Sequence, residues 1–167
     1  MPKGWNGNIH IAVAPTKNMD RIEWFAEKAT EIGLDELTFL NCRFSERKVI
    51  KTERVERIVV SAMKQSLKYS KPIVGEMADF KKFVSQERAG EKYIAHCYDG
   101  EKNLLKDVHV AGCDATVLIG PEGDFSPEEV KMAMEAGYKP VSLGNSRLRT
   151  ETAALAACHI LMLKNEK

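Results

Sequence analysis

The sequence predicts an α/β fold: a mostly parallel sheet with helices on both faces. Three observations carry this prediction. Strand and helix signals alternate from end to end. Thr116–Gly120 (TVLIG) is a continuous apolar run of the kind buried inside a parallel sheet. In two places near the C-terminus an apolar strand runs into a glycine turn and then into a capped helix. A chain of 167 residues, 44% hydrophobic and 29% charged, fits one domain with a real core. No internal repeat, low-complexity segment or Gly/Ser-rich linker marks a second domain.

Ile9–Ala14 (IHIAVA) reads as a buried strand. Asn18 or Asp20 then caps a helix whose apolar positions Ile22, Phe25, Ala26, Ala29 and Ile32 follow helical spacing, and Gly33 ends it. Glu36–Leu40 is the second strand. Thr52 is the expected cap of a second helix, with Val55, Ile58, Val59, Ala62, Met63 and Ser66 on one face and basic residues on the other. Ile73–Gly75 predicts a short strand, Asp79–Gln86 a short helix, and Tyr93–Tyr98 a strand closed by the Asp99-Gly100 turn. After Thr116–Gly120, Ser126-Pro127-Glu128-Glu129 matches a helix start: Ser126 caps, Pro127 occupies the first turn, and Glu129 completes a capping box. Gly137 stops that helix, Val141–Leu143 is the last strand, and a final helix starts near Thr150 with Glu151 at its positive end. From Ala153 to Leu163 the only strongly polar side chain is His159, so this helix must be covered on more than one side. The expectation is that it is wrapped by the chain and also forms part of a homodimer interface.

No apolar run approaches the roughly 20 residues that span a bilayer, and MPKGWNGNIHI has no secretory-signal pattern, so a cytoplasmic protein is expected. Cys42, Cys97, Cys113 and Cys158 lack metal or redox spacing and read as reduced, mostly buried thiols. From Arg43 to Lys71 nine Lys/Arg face three Glu, a local excess of six in a chain of net charge +1, so the remainder is net −5. Such a stripe is either a solvated helix face or a polyanion-binding one, and charge alone favours the first.

The chemistry concentrates in LIGPEGDFSPEEV (Leu118–Val130) and LGNSRLRTETAALAA (Leu143–Ala157). Gly120 and Gly123 permit close backbone approach, and Pro121 rigidifies the turn. Neither the P-loop nor the dinucleotide fingerprint is present. A carboxylate at Glu122 disfavours a phosphate-rich cofactor and suits a cationic one such as S-adenosylmethionine. Gly144 allows a turn after a strand. Arg147 and Arg149, two apart, point the same way in an extended loop and either grip phosphates or are ordinary surface arginines. His96, at a strand end, is placed at the same cleft. His10 and His159 read as structural, His109 as a loop or strand residue, and Trp5 and Trp24 as packing residues. No nucleophile triad and no metal-binding motif appears.

These segments, with APTKNMDRIEWFAEKATEIG (Ala14–Gly33), SERKVIK (Ser45–Lys51) and AMKQS (Ala62–Ser66), resemble the bacterial 16S ribosomal RNA uridine N3-methyltransferases of the RsmE type, in the SPOUT class. The resemblance covers Ile9 to the C-terminus, and the joint occurrence of GPEG and LRTETA is its specific part. It implies a C-terminal trefoil knot, a homodimer, and S-adenosylmethionine bound among the knot loops: His96; Leu118, Ile119, Gly120, Pro121, Glu122 and Gly123; and Leu143, Gly144, Leu148, Arg149 and Thr150. It implies methylation of uridine N3 in 16S rRNA of the small ribosomal subunit. Arg149 and Glu122 are the catalytic candidates, and Arg47, Lys48, Lys64, Lys68 and Arg147 the RNA contacts. Another RNA such as tRNA, or a non-catalytic RNA-binding knot domain, stays open as an alternative. The sequence departs from the family at Asp124, where a second glycine is usual, and at Ser146–Arg149, where one arginine is displaced. An arginine common shortly after the Gln-Ser pair is Lys68 or absent. Relatives carry an N-terminal PUA-like RNA-binding domain, which is expected to be missing from residues 1–167.

Overall fold

The segments Ile9–Val13 (β1) and Ala115–Ile119 (β6) are buried at every position. Each therefore has to be paired on both edges and covered on both faces. The computed structural model, which describes residues 3–68 and 70–167, meets both demands. The other elements are α1 (Met19–Ile32), β2 (Glu36–Asn41), α2 (Thr52–Gln65), β3 (Ile73–Asp79), α3 (Phe80–Ser85), β4 (Glu91–Ala95), β5 (Asn103–Leu104), α4 (Leu105–Val108), α5 (Pro127–Glu135), β7 (Lys139–Ser142) and α6 (Thr150–Asn165). They form one sheet of order β3-β2-β1-β6-β4-β7-β5, with every neighbouring pair parallel.

Alternation along the strands separates two cores. Ile9, Ile11, Val13, Leu37, Phe39 and Val117 pack under α1, α2 and α6 through Phe25, Val55, Val59, Ala154 and Leu161. Ala12, Leu40, Ile94 and Leu118 face the opposite layer, where α3 and α5 contribute Phe80, Phe83, Val130 and Ala133. The expected two-faced α/β arrangement is what forms.

Local chemistry fixes the helix ends. Asn18 Oδ1 accepts the Asp20 N–H at 2.9 Å. Gly33 ends α1 at φ 135, where a β-carbon would meet the Met162 methyl at 1.8 Å. The capping box of α5 is complete: Ser126 Oγ accepts the Glu129 N–H at 3.1 Å, and Glu129 Oε1 accepts the Ser126 N–H at 2.8 Å.

Several expectations need correction. Thr52 is the first residue of α2 rather than its cap; its hydroxyl donates to Glu76 Oε1 at 3.1 Å, and Lys51 at the cap position makes no capping bond. β3 runs over seven residues instead of three because β2 offers a partner along its length, and β4 stops at Ala95 instead of Tyr98. β5 and α4 are additional. Trp24 is half-exposed, and His159 and Cys97 are exposed. Trp5 is buried, its indole N–H donating to Asp35 Oδ2 at 2.8 Å. Among the described residues no helix is long and apolar enough to cross a membrane.

A buried polar chain ties α6 to the sheet. Asn165 Oδ1 accepts the Gly112 N–H at 2.9 Å while its amide donates to the Cys113 carbonyl at 2.9 Å, which fixes the orientation of the amide. His109 Nε2 must then donate to Asn165 Oδ1 at 3.0 Å, so Nδ1 accepts the Tyr93 hydroxyl at 3.0 Å. His109 is neutral in this arrangement, and burial lowers its pKa. His10, against Thr38 Oγ1 at 2.8 Å, is pushed down to about 3, first by burial and then by Arg88.

Both histidines take a proton more readily in the unfolded chain. Their contribution to stability is full above the ordinary histidine value of about 6.5 and is lost as pH falls below it. Urea denaturation at pH 7.5, 6.0 and 4.5 is expected to show stability declining toward acid, with a shallower decline in His10→Gln. A rise in stability across that window, or an unchanged slope in the variant, contradicts the assignment.

Candidate functional site

In an open parallel sheet, ligands bind outside the carboxyl ends of the strands, where neighbouring connections diverge. Here the chain leaves β4, β6 and β7 at the same edge, and the three exits enclose a cavity of about 980 Å³. His96 follows β4. Ile119 to Asp124 end and follow β6. Leu143 to Arg149 follow β7, and Thr150, Glu151 and Ala153 begin α6.

Hydrogen bonds join these walls. The Thr150 hydroxyl, buried, donates to the Gly120 carbonyl at 3.0 Å, fastening the start of α6 to the turn after β6. Gly120 is tightly packed, since a β-carbon there would lie 3.0 Å from the Phe125 ring and 3.1 Å from the Phe125 nitrogen. Glu122 Oε1 accepts the Lys17 N–H at 3.0 Å, and Arg47 donates to the Thr16 and Lys17 carbonyls at 3.1 and 2.6 Å. The loops after β1, β2 and β6 are thereby linked in series.

The third wall is held as firmly. Asp124 stands in the left-handed region at φ 68. Its Oδ2 accepts the Cys97 N–H at 3.0 Å, its Oδ1 the Phe125 N–H at 2.7 Å, and its own N–H donates to the Pro121 carbonyl at 2.8 Å. The Tyr98 hydroxyl donates to the Phe125 carbonyl at 2.6 Å, and Lys102 Nζ donates to the His96 and Tyr98 carbonyls at 2.9 and 2.7 Å. His96 Nδ1 accepts the Tyr98 N–H at 3.2 Å, which leaves the hydrogen of the neutral ring on Nε2. Burial, seconded by the Lys102 ammonium and opposed by Asp124, lowers the pKa of this imidazole.

Charge on the cavity wall is mixed. Arg21, Lys102, Arg147 and Arg149 stand with Glu122, Asp124 and Glu151. Arg147 and Arg149 are exposed, and their side chains make no hydrogen bond or ion pair among the described residues. Glu151 is buried, and neither of its carboxylate oxygens accepts a hydrogen bond; its nearest counter-charge is Arg21 Nη1 at 3.7 Å. A wall of both signs suits a zwitterionic ligand better than a polyphosphate.

The structure therefore gathers His96, Ile119, Gly120, Pro121, Glu122, Gly123, Leu143, Gly144, Arg147, Leu148, Arg149 and Thr150 at one cavity. Leu118 does not line it: its side chain is wholly buried in the second core. Arg47 is taken up by backbone carbonyls, while Lys48 is exposed in the loop after β2. Lys64 lies in the last turn of α2, about 18 Å along the helix from Thr52 at 1.5 Å per residue, and Lys68 follows the helix end, past Leu67 at φ 58, toward the amino edge of the sheet. The basic stripe is thus not one patch, and Arg54–Glu23 and Lys71–Glu56 ion pairs neutralise part of it. Arg21, Tyr98, Lys102 and Glu151 line the cavity without having been expected there; Arg21 comes from α1, and no local sequence signal places that helix beside α6.

Residues 3–162 match the family model for the RNA methyltransferase domain. The chain is similar to Ribosomal RNA small subunit methyltransferase E of Aquifex aeolicus, 37% identical over 93% of this chain and 68% of that one. Among solved structures it is similar to a probable rRNA-methyltransferase from Porphyromonas gingivalis, at a TM-score of 0.92 and 47% identity, over 98% of this chain and 71% of that one. It is also similar to Ribosomal RNA small subunit methyltransferase E of Neisseria gonorrhoeae bound to S-adenosyl methionine, at a TM-score of 0.84 and 27% identity, over 94% of this chain and 66% of that one. The chain spans 60–68% of the length of the first curated relatives it matches.

Proposed function

The chain belongs to the RNA methyltransferase domain family, and from that premise we propose that it methylates N3 of a uridine in 16S ribosomal RNA of the small subunit, using S-adenosylmethionine. The observation that carries this reading is the convergence of the β4, β6 and β7 exits on one cavity of mixed charge, in a chain similar to a methyltransferase solved with that cofactor. The ligand has a sulfonium, an ammonium and a carboxylate, and the wall offers both Glu and Arg, so the residues present fit it. His96, Ile119 to Gly123, Leu143, Gly144 and Leu148 to Thr150 are proposed to hold it. A C-terminal knot of the SPOUT class is part of this proposal, with α6 starting against the Gly120 turn through Thr150.

When bound, the cofactor supplies an electrophilic methyl group. The chain's own residues then orient the base and favour its deprotonated form at N3, the imide proton passing to solvent as the methyl takes its place. Arg149, exposed at the cap position of α6 with no side-chain partner there, is proposed to donate to the developing imide anion. Glu122 already holds the Lys17 N–H, so its proposed part is to brace the loop after β1 and, through its other oxygen, to meet the cofactor's positive charge. Arg147, Lys48, Lys64 and Lys68 are proposed phosphate contacts, with Arg47 acting through the loop it pins. A cytoplasmic location follows from the proposed substrate.

Incubating small ribosomal subunits with the chain and methyl-labelled cofactor is expected to yield N3-methyluridine on nucleoside analysis. Arg149→Ala keeps the backbone by which this residue is proposed to hold the cofactor, so it should slow the reaction on the order of a hundredfold while leaving cofactor affinity within a few fold. Label in tRNA alone, or equal rates in both proteins, overturns the assignment concerned.

α6 also supports a homodimer. Beside its buried face it presents Leu155, Ala156, Ile160 and Leu163 partly or fully exposed, with Thr152 and His159 among them, a largely apolar strip that a second copy would cover. Sedimentation at micromolar concentration is expected to give a dimer, and a monomer there contradicts the interface.

A further inference from the structure

The wall that follows β4 has no covalent or strand connection to the turn that follows β6 beyond the end of their pairing at Ala95 and Ile119. Past that point one side chain accepts N–H groups from both: Asp124, whose two carboxylate oxygens take the Cys97 N–H and the Phe125 N–H at 3.0 and 2.7 Å. We propose that Asp124 is a positioning residue that clamps the His96–Tyr98 wall to the Gly120–Gly123 turn and so sets the width of the cleft for an S-adenosyl ligand. The inference rests on the cofactor reading given above.

Three observations single out this residue. Asp124 is one of two non-glycine residues at positive φ among the described residues, at 68°. A β-carbon disfavours that backbone, so the conformation has to be maintained by the bonds around it. Its N–H donates back to the Pro121 carbonyl at 2.8 Å, closing the turn that carries Glu122 and Gly123. The Cys97 N–H has no strand partner, since β4 ends at Ala95. The Tyr98 hydroxyl on the Phe125 carbonyl runs parallel to the clamp, so the fold of the turn does not depend on Asp124 alone. The two links hold the gap together, so loss of the Asp124 bonds loosens the wall without unfolding the turn.

A series of substitutions separates these roles. Asp124→Gly removes both carboxylate bonds and makes the left-handed backbone easy. Asp124→Asn tolerates that backbone and keeps one acceptor, which a flip of the amide turns to the Cys97 N–H, the bond that crosses between the walls. In the whole chain, amide exchange at Cys97, the thermal midpoint, and calorimetric binding of S-adenosylhomocysteine and of 5′-methylthioadenosine are measured together. Asp124→Gly is expected to speed exchange at Cys97, to leave the midpoint within a few degrees, and to weaken S-adenosylhomocysteine about tenfold. Asp124→Asn should stay within about threefold of the parent, and 5′-methylthioadenosine, which fills less of the cleft, should lose less than the larger ligand. Unchanged exchange at Cys97, unchanged affinity in Asp124→Gly, or an equal loss in Asp124→Asn overturns the clamp. If the unaltered chain binds neither ligand, the cofactor reading fails and the positioning role falls with it, an outcome distinct from failure in the variants alone.

Discussion

Parallel pairing of β6 on both edges, with burial on both faces, is the constraint from which the site follows. β6 lies between β1 and β4, and all five of its residues are buried. A strand so enclosed can only leave the sheet at its carboxyl end. In an all-parallel sheet every other strand leaves at that edge too. Three such exits, after β4, β6 and β7, become walls of one cavity without any residue having been placed for chemistry.

What turns crowded exits into a defined cleft is a set of polar links between loops that are far apart in sequence. Thr150 reaches Gly120, Glu122 reaches Lys17, Arg47 reaches Thr16, and Asp124 reaches Cys97. Each satisfies a backbone group that has lost its strand or helix partner. Most of the acidic side chains near the cavity are engaged in this holding work. Arg147 and Arg149 are left without partners among the described residues and are the groups available to a ligand.

Much of this was legible in the sequence, and the failures have physical reasons. The β6 run and the Ser126-Pro127-Glu128-Glu129 cap are local signals; the cap forms where the sequence puts it, and the strand forms one residue earlier, at Ala115–Ile119. The GPEG and LRTETA segments reach one cavity as expected. β3 was under-read because its residues carry no clean alternation; it is an edge strand whose pairing with β2 defines it. β4 was over-read at His96-Cys97-Tyr98, where apolar character continues but the backbone turns to meet Asp124 and Phe125. Arg21 and Glu151 became cavity partners only through the packing of α1 on α6, a tertiary contact with no sequence period. The basic run is continuous in sequence, yet α2 spreads its middle over about 20 Å and Lys68 lies beyond the helix end, so Lys64 and Lys68 stand away from the cleft.

The measurement that bears most directly on this account is a crystal structure of the chain grown with S-adenosylhomocysteine. The account predicts the ligand between the Gly120–Gly123 turn and the Leu143–Thr150 segment, with His96 at its edge. A ligand lodged elsewhere, or those two segments moved apart around an empty cleft, would contradict it.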